Sequence, residues 1–172
     1  MWRVGALAWR FAQALGMPGI KAQALGLAAA LHDTGKLCIP NSILEKPGRL
    51  TPEEMHVMRM HPQLGADMLG AIGGAACALA ANVARTHHER YDGGGYPFGL
   101  AGDRIPLAGR IVAIVDVFDA LASHRPYRAA LTPSQIVGAM LGERGRHFDP
   151  WLLDRFLERS FTAALHISSG AR

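Results

Sequence analysis

Residues 107–122 read LAGRIVAIVDVFDALA, and this stretch decides the fold class. It is apolar on nearly every face and longer than a typical buried strand, so it predicts a helix enclosed by other elements. Two carboxylates, Asp116 and Asp119, interrupt the apolar run three residues apart and therefore share one face of that helix. A buried carboxylate needs a partner, and a metal ion is a good one, although Asp116 alone could instead pair with an arginine.

The sequence on both sides also predicts helices, with few strand signals. Thr51, Thr132 and Asp149 are suited to be N-caps, and Glu54 completes a capping box with Thr51. The predicted helices cover 6–15, 20–32, 51–60, a segment starting at 62, 71–87, 107–122, 133–141 and 150–161, with glycine- and proline-containing loops over 37–50 and 91–106. We therefore expect an all-α fold, a helical bundle.

Composition narrows the class of protein. A chain of 172 residues predicts one domain, and two cysteines are too few for a disulfide scaffold. The net charge of +4 comes from 15 Arg and 3 Lys against 14 acidic residues, spread along the chain without a basic run, so no nucleic-acid partner is expected. No apolar stretch is long enough to span a membrane, and Arg10 interrupts the apolar N-terminal stretch, which argues against a secretory leader. We expect a cytoplasmic protein.

Histidines and aspartates form the candidate site. His32-Asp33, His61 and His87-His88, together with Asp116, combine imidazole and carboxylate groups, which suit Fe, Mn or Zn. His32 shares the core-facing stripe of the second predicted helix. Taken singly, His32 could be a capped helix end and His87-His88 a surface pair, so the residue types alone leave a metal site and these structural roles open. The remaining histidines, assigned no site role, are His56, His124, His147 and His166.

The order of the motifs carries a family resemblance. His32-Asp33-Thr34-Gly35-Lys36 resembles the signature of the HD phosphohydrolase superfamily. Residues 87–97, HHERYDGGGYP, are similar to the extended motif of its HD-GYP subfamily. Further matches in order are Ile39-Pro40, Lys46-Pro47-Gly48, Asp116-Val117-Phe118-Asp119-Ala120-Leu121, Arg125-Pro126-Tyr127-Arg128 and Phe148-Asp149-Pro150. The resemblance covers 3–156 and is highly specific.

That resemblance implies a fold, a reaction and cofactors. The fold is a bundle of the HD-domain type with a long glycine-rich loop, which we call the GYP loop (residues 91–106). The reaction is hydrolysis of the bacterial second messenger cyclic di-GMP to linear pGpG and, in many members, to GMP. The cofactors are two divalent ions, with Fe or Mn favoured. Two close ions activate a water and clamp phosphate oxygens, which suits a phosphodiester that resists attack.

Residue roles follow from the same resemblance. The implied metal ligands are His32, Asp33 and Asp116 for one ion, and Asp33, His61, His87 and His88 for the other. Asp33, as the bridge, and Lys36, meeting the scissile phosphate, are the expected catalytic residues. The implied substrate site is lined by Tyr96, Asp119, Arg125 and Arg128. The structural alternatives are loop packing for Tyr96 and surface salt bridges for the two arginines.

The first helix departs from the family pattern. Members usually carry a metal-ligand histidine three residues before an Arg-Val pair, which here is Arg3-Val4, so that position falls before Met1. A glutamate found in members with a third metal is also absent. We expect a truncated domain over 1–161, with a tail over 162–172 and a regulatory domain upstream. A naturally shortened member is the alternative. Either way, we expect one ion to bind firmly and the ion at His32 and Asp116 loosely.

Three functions stay open on this basis. The first is a cyclic di-GMP phosphodiesterase, favoured by the nearly intact motif set. The second is a non-catalytic module that binds cyclic di-GMP or a diguanylate cyclase partner, favoured by the missing ligand. The third is an HD hydrolase of another nucleotide, which the GYP loop argues against. The expected partners are cyclic di-GMP, an upstream regulatory or GGDEF domain, and a second copy of the chain.

Overall fold

The computed structural model describes residues 2–124 and 130–168, with side chains through Arg159. Its α-helices are α1 (Trp2–Ala14), α2 (Gly19–Ala30), α3 (Asn41–Leu44), α4 (Pro52–Met58), α5 (His61–Ile72), α6 (Ala75–Thr86), α7 (Leu107–Ala122), α8 (Pro133–Leu141) and α9 (Pro150–Ser168). Two 3-10 turns cover Thr34–Cys38 and Gly102–Arg104. Within the described ranges only isolated β-bridges occur, so the all-α prediction is confirmed.

Helix α7 lies in the core, as its composition predicts. Ile111, Val112, Ile114 and Val115 are completely buried. The helix packs against α1, α6, α8 and α9, while α1 packs on α2, α2 on α6, and α6 on α5. Because the helices pack in this way, the C-terminal ends of α2 and α6 and the N-terminal end of α5 meet beside the polar face of α7.

Local signals predicted the caps correctly. Thr51 and Glu54 form the capping box of α4. Thr132 caps α8 in the same way, with Gln135 as its partner. The Asp149 carboxylate accepts hydrogen bonds from the backbone N–H groups at the start of α9.

Several predicted boundaries were wrong. The second helix ends at Ala30, before His32. The predicted helix 71–87 begins only at Ala75, because Gly73 and Gly74 adopt φ of 79° and 84° and separate it from α5. The predicted loop 37–50 contains the short helix α3.

Helix α9 is longer than the sequence predicted. It continues to Ser168, through most of the segment 162–172 that we expect to be a tail, and the division at residue 161 stays a prediction. In the part of the chain that the structure describes, no helix combines the length and apolar character needed to cross a membrane.

Candidate metal centre

Four elements bring the predicted ligands together. His32 and Asp33 occupy the turn that follows α2, and His61 is the first residue of α5. His87 is the C-cap of α6, with His88 directly after it. Asp116 comes from the middle of α7. Each side chain sits at a helix end or on the polar face of α7, so the packing of the helices fixes the spacing of the ligands.

One half of the centre is a four-residue cluster, Asp33, His61, His87 and His88. One ligand atom from each lies within 4.8 Å of all the others. Asp33 Oδ1 is 3.3 Å from His61 Nε2 and 3.8 Å from His87 Nε2. The other half is formed by His32 Nε2, which lies 3.4 Å from Asp33 Oδ2 and 3.5 Å from Asp116 Oδ1. The two oxygens of Asp33 thus face different halves.

Backbone carbonyls orient three of the imidazoles. The Nδ1 atoms of His32, His61 and His87 lie 2.6, 2.8 and 2.8 Å from the carbonyl oxygens of Ala29, Met58 and Ala84. A carbonyl only accepts, so each Nδ1 donates, and a neutral ring then presents a bare Nε2 to the centre. This is the arrangement that metal-binding histidines adopt.

The donor set fits a divalent cation. His61 Nε2 and His87 Nε2 are 3.4 Å apart, so in neutral rings two lone pairs face each other. The Oδ1 atom of Asp33 is buried with no hydrogen-bond donor. Lone pairs and a buried carboxylate oxygen that converge in this way repel one another unless positive charge lies between them. Nitrogen and oxygen ligands of this kind suit Zn, Fe or Mn.

Burial and neighbouring charges shift the pKa values of the ligands in different directions. Burial opposes protonation of His32, but the Asp116 and Asp33 carboxylates outweigh burial and raise its pKa to about 9. Burial, reinforced by His61, lowers the pKa of His88 to about 3. Burial would raise the pKa of Asp33, yet His32 and His61 hold it far below its usual value. The cluster histidine His88 is therefore neutral at pH 7, ready to act as a ligand.

The predicted substrate residues have different surroundings. Lys36 is half-exposed, and its Nζ lies 2.6 Å from Asp33 Oδ2. The Tyr96 ring stacks on His88, with ring centres 4.8 Å apart and planes 23° apart. Asp119 forms an ion pair with Arg3 of α1, at 3.0 Å, and its role as a substrate contact stays a prediction. Arg125 and Arg128 lie outside the described residues.

Of the four histidines assigned no site role, three can be placed. His56 and His124 are exposed. His147 stacks on Phe148, and burial lowers its pKa. None of these three belongs to the clusters found among the described side chains. His166 lies beyond the described side chains.

Glu89 holds the GYP loop in place, a role that the sequence reasoning missed. Its side chain is 1% exposed. Oε1 accepts a hydrogen bond from Phe98 N at 2.8 Å, and Oε2 accepts one from Leu100 N at 2.9 Å. Both donors belong to the loop, a few residues after Tyr96. Because Glu89 directly follows His87 and His88 in the sequence, its position could have indicated that it supports the centre.

Gly95 allows the same loop to fold back on the centre. A Cβ at this position would lie 2.3 Å from Arg90 N and 2.6 Å from the carbonyl oxygen of His88. The next residue, Tyr96, donates its backbone N–H to that carbonyl at 3.2 Å. A side chain at 95 would push Tyr96 away from the His88 ring.

Changing Glu89 to glutamine is expected to destabilise the fold by about 1–3 kcal/mol. An amide –NH₂ would face one of the two loop N–H groups, so one buried donor loses its acceptor. Urea unfolding measures the stability. Glu45→Gln, at an exposed position, is the matched control. Equal stability of the Glu89 and Glu45 variants would contradict this role.

A second residue missed from the sequence is Arg59. It is the C-cap of α4, two residues before His61. Its guanidinium carbon lies 5.2 Å from the centre of the Tyr96 ring. The Tyr96 ring therefore contacts both a cluster imidazole and an exposed guanidinium, which is a cation–π contact.

Known proteins are similar to this chain in sequence. The sequence profile of the HD domain matches residues 2–152. The cyclic di-GMP phosphodiesterase response regulator RpfG of Xanthomonas campestris pv. campestris is 46% identical over 155 residues, covering 90% of this chain and 41% of that protein. The 3'3'-cGAMP-specific phosphodiesterase 2 of Vibrio cholerae is 42% identical over 156 residues, covering 91% of this chain and 30% of that protein. This chain thus spans less than half the length of either relative.

A solved structure has the same fold. It is Bd1817, described as a HDG"Y"P protein from Bdellovibrio bacteriovorus, with a TM-score of 0.69 and 23% sequence identity. The match covers 91% of this chain and 49% of that one. The likeness supports the helical architecture described above.

Proposed function

Because the chain belongs to the HD domain family, in its HD-GYP subfamily, we propose that it is a metal-dependent phosphodiesterase that hydrolyses cyclic di-GMP. The observation that carries the proposal is the Asp33 carboxylate, whose two oxygens face two converging sets of ligands. The relative RpfG, named a cyclic di-GMP phosphodiesterase, supports the choice of substrate. The expected products are linear pGpG and then GMP.

The residues present would hold two ions. Asp33, His61, His87 and His88 would hold one, and His32, Asp33 and Asp116 the other. Two such ions, when bound, activate water and neutralise charge on the phosphate. We propose Fe or Mn in both positions, with weaker binding at the His32 half. There the two carboxylates favour a proton on His32, which a metal must displace.

Residues around the ions would position the substrate. Lys36 sits at the exposed edge of Asp33, where its ammonium group can contact a phosphate oxygen and stabilise the charge that develops there. Burial raises the pKa of Tyr96 to about 12, so its phenol stays protonated and can donate a hydrogen bond. Its ring can also stack on a guanine base. Asp119, Arg125 and Arg128 are proposed to complete the substrate site.

We also propose partners and a cellular location for the chain. We propose a cytoplasmic protein regulated by an upstream or GGDEF domain, with a second copy of the chain as a further partner. A second candidate substrate is 3'3'-cGAMP, because a relative at 42% identity is named for it. Both substrates are cyclic dinucleotides, so the same centre would serve either.

Removing the metal tests the function directly. The purified chain is loaded with Mn²⁺ or Fe²⁺ under anaerobic conditions and incubated with cyclic di-GMP or 3'3'-cGAMP, and the products are separated by chromatography. We expect linear pGpG from cyclic di-GMP, loss of turnover by at least about a hundredfold after chelation, and recovery when metal returns.

The remaining outcomes distinguish the alternatives. Binding of cyclic di-GMP without turnover would replace the enzyme with a binding module. Turnover of 3'3'-cGAMP alone would change the substrate. Neither binding nor turnover of any cyclic dinucleotide would contradict the proposal and favour hydrolysis of another nucleotide.

A further inference from the structure

The positive charge of Arg59 forms no ion pair with a carboxylate in the described part of the chain. Some of the other described arginines pair with carboxylates, such as Arg90 with Asp92 and Glu143, and Arg110 with Asp103 and Asp149. Among the described residues, no ion pair within 4.0 Å is found for Arg59, and its side chain is exposed. Its contact is the face of Tyr96.

The contact with Tyr96 places the Arg59 charge near the centre. His61, two residues later, is a member of the four-residue cluster, so the two backbones are at most about 7 Å apart. Tyr96 connects Arg59 to the cluster, because its ring stacks on His88 and also contacts the Arg59 guanidinium. Arg59 therefore lies at the rim of the metal centre, beside the tyrosine expected to contact the substrate.

A cyclic dinucleotide needs such a group. Its ring contains two phosphodiesters, and each carries a negative charge. The metal centre and Lys36 can neutralise the phosphate that is cleaved, because their positive charges converge at Asp33. The other phosphate is left free to bind a separate cation. A guanidinium suits this task better than an ammonium group, because it can bind two phosphate oxygens at once while its plane rests on an aromatic ring.

We propose that Arg59, supported by Tyr96, binds the phosphate of a cyclic dinucleotide that is not being cleaved. The inference rests on the proposed function and extends it to substrate selection. It makes Arg59 a residue that distinguishes substrates with two phosphodiesters from substrates with one. A generic diester such as bis(p-nitrophenyl) phosphate would occupy the metal centre without reaching Arg59.

The test compares Arg59→Gln with the native chain on both substrates, with Mn²⁺ bound. We expect KM for cyclic di-GMP to rise about tenfold with little change in kcat, and bis(p-nitrophenyl) phosphate cleavage to stay unchanged. Inhibition of that cleavage by cyclic di-GMP gives a binding constant independent of dinucleotide turnover, and it should weaken by the same factor. Arg59→Lys should recover part of the loss. Arg155→Gln, which removes an exposed arginine paired with Glu158 on α9, should change nothing.

The outcomes separate this inference from the proposed function. If the native chain is inhibited by cyclic di-GMP but does not hydrolyse it, the proposed function fails, and the inhibition constants still test Arg59. Equal losses on both substrates would show that Arg59 only supports the fold or Tyr96, and would overturn the inference. Unchanged KM and inhibition in Arg59→Gln would also overturn it, as would the absence of any cyclic di-GMP binding by the native chain.

Discussion

Replacing Asp33 with asparagine is expected to lower hydrolysis of cyclic di-GMP by about a thousandfold and to remove metal from the purified protein. Asp33 is the residue shared by both halves of the centre, with Oδ1 toward His61 and Oδ2 toward His32. An asparagine has nearly the same shape, but its –NH₂ group can donate to an imidazole Nε2. A proton would then occupy the place where a cation binds, and one negative charge would be lost.

Metal content by mass spectrometry and kcat measured on the same preparation check this prediction. Asp67→Asn is the matched control, because Asp67 is exposed on α5 and its carboxylate accepts from Gln63 at 2.7 Å. The control should keep full metal content and activity. An Asp33→Asn protein that retains as much tightly bound metal as the native chain would contradict the role assigned to Asp33.

Replacing Gly35 with alanine is expected to destabilise the protein by about 3 kcal/mol or more, the upper end for a forced overpacking. A Cβ at this position would lie 2.0 Å from the carbonyl oxygen of His61 and 2.4 Å from Gly65 N. Both atoms belong to the backbone of α5, so no side-chain rotation relieves the clash. The helix must move away, and His61 moves out of the cluster with it.

Urea unfolding and metal content measure the two consequences. Gly70→Ala, in the same helix, is the control because its added Cβ meets no atom within 4 Å apart from its chain neighbours and the backbone of its own helix. Since α5 is helical there, that change should stabilise by about 0.5–1 kcal/mol. If Gly35→Ala cannot be purified while Gly70→Ala can, the prediction holds. Equal unfolding midpoints for Gly35→Ala and the native chain would contradict it.

The parts of the fold that the sequence predicted well depend on local interactions. Helix α7 was predictable because its burial follows from its composition, and the capping box of α4 because its residues are three positions apart. The boundary at Gly73-Gly74 was missed because the segment around it is rich in small residues, which suit a helix as well as a turn. The break there depends on backbone angles that the composition does not reveal.

The candidate site likewise has a part that could be predicted from the sequence and a part that could not. Its ligand set was implied by a resemblance of ordered motifs, while residue types alone left structural roles open. The contacts of Glu89 with Phe98 and Leu100, and of Arg59 with Tyr96, could not be predicted, because they join residues that only the folded loop brings together. The Arg3–Asp119 ion pair is another long-range contact of this kind.

The hydrogen bonds of three histidines to carbonyls three residues earlier have a consequence for affinity. Each ring is fixed by the last turn of its own helix or by the turn before the next one, so its rotational freedom is lost during folding. Binding a cation then requires little further loss of side-chain entropy. The ligands are preorganised, so we expect selectivity among metals to depend on the fixed distances between helix ends rather than on rearrangement of the ligands.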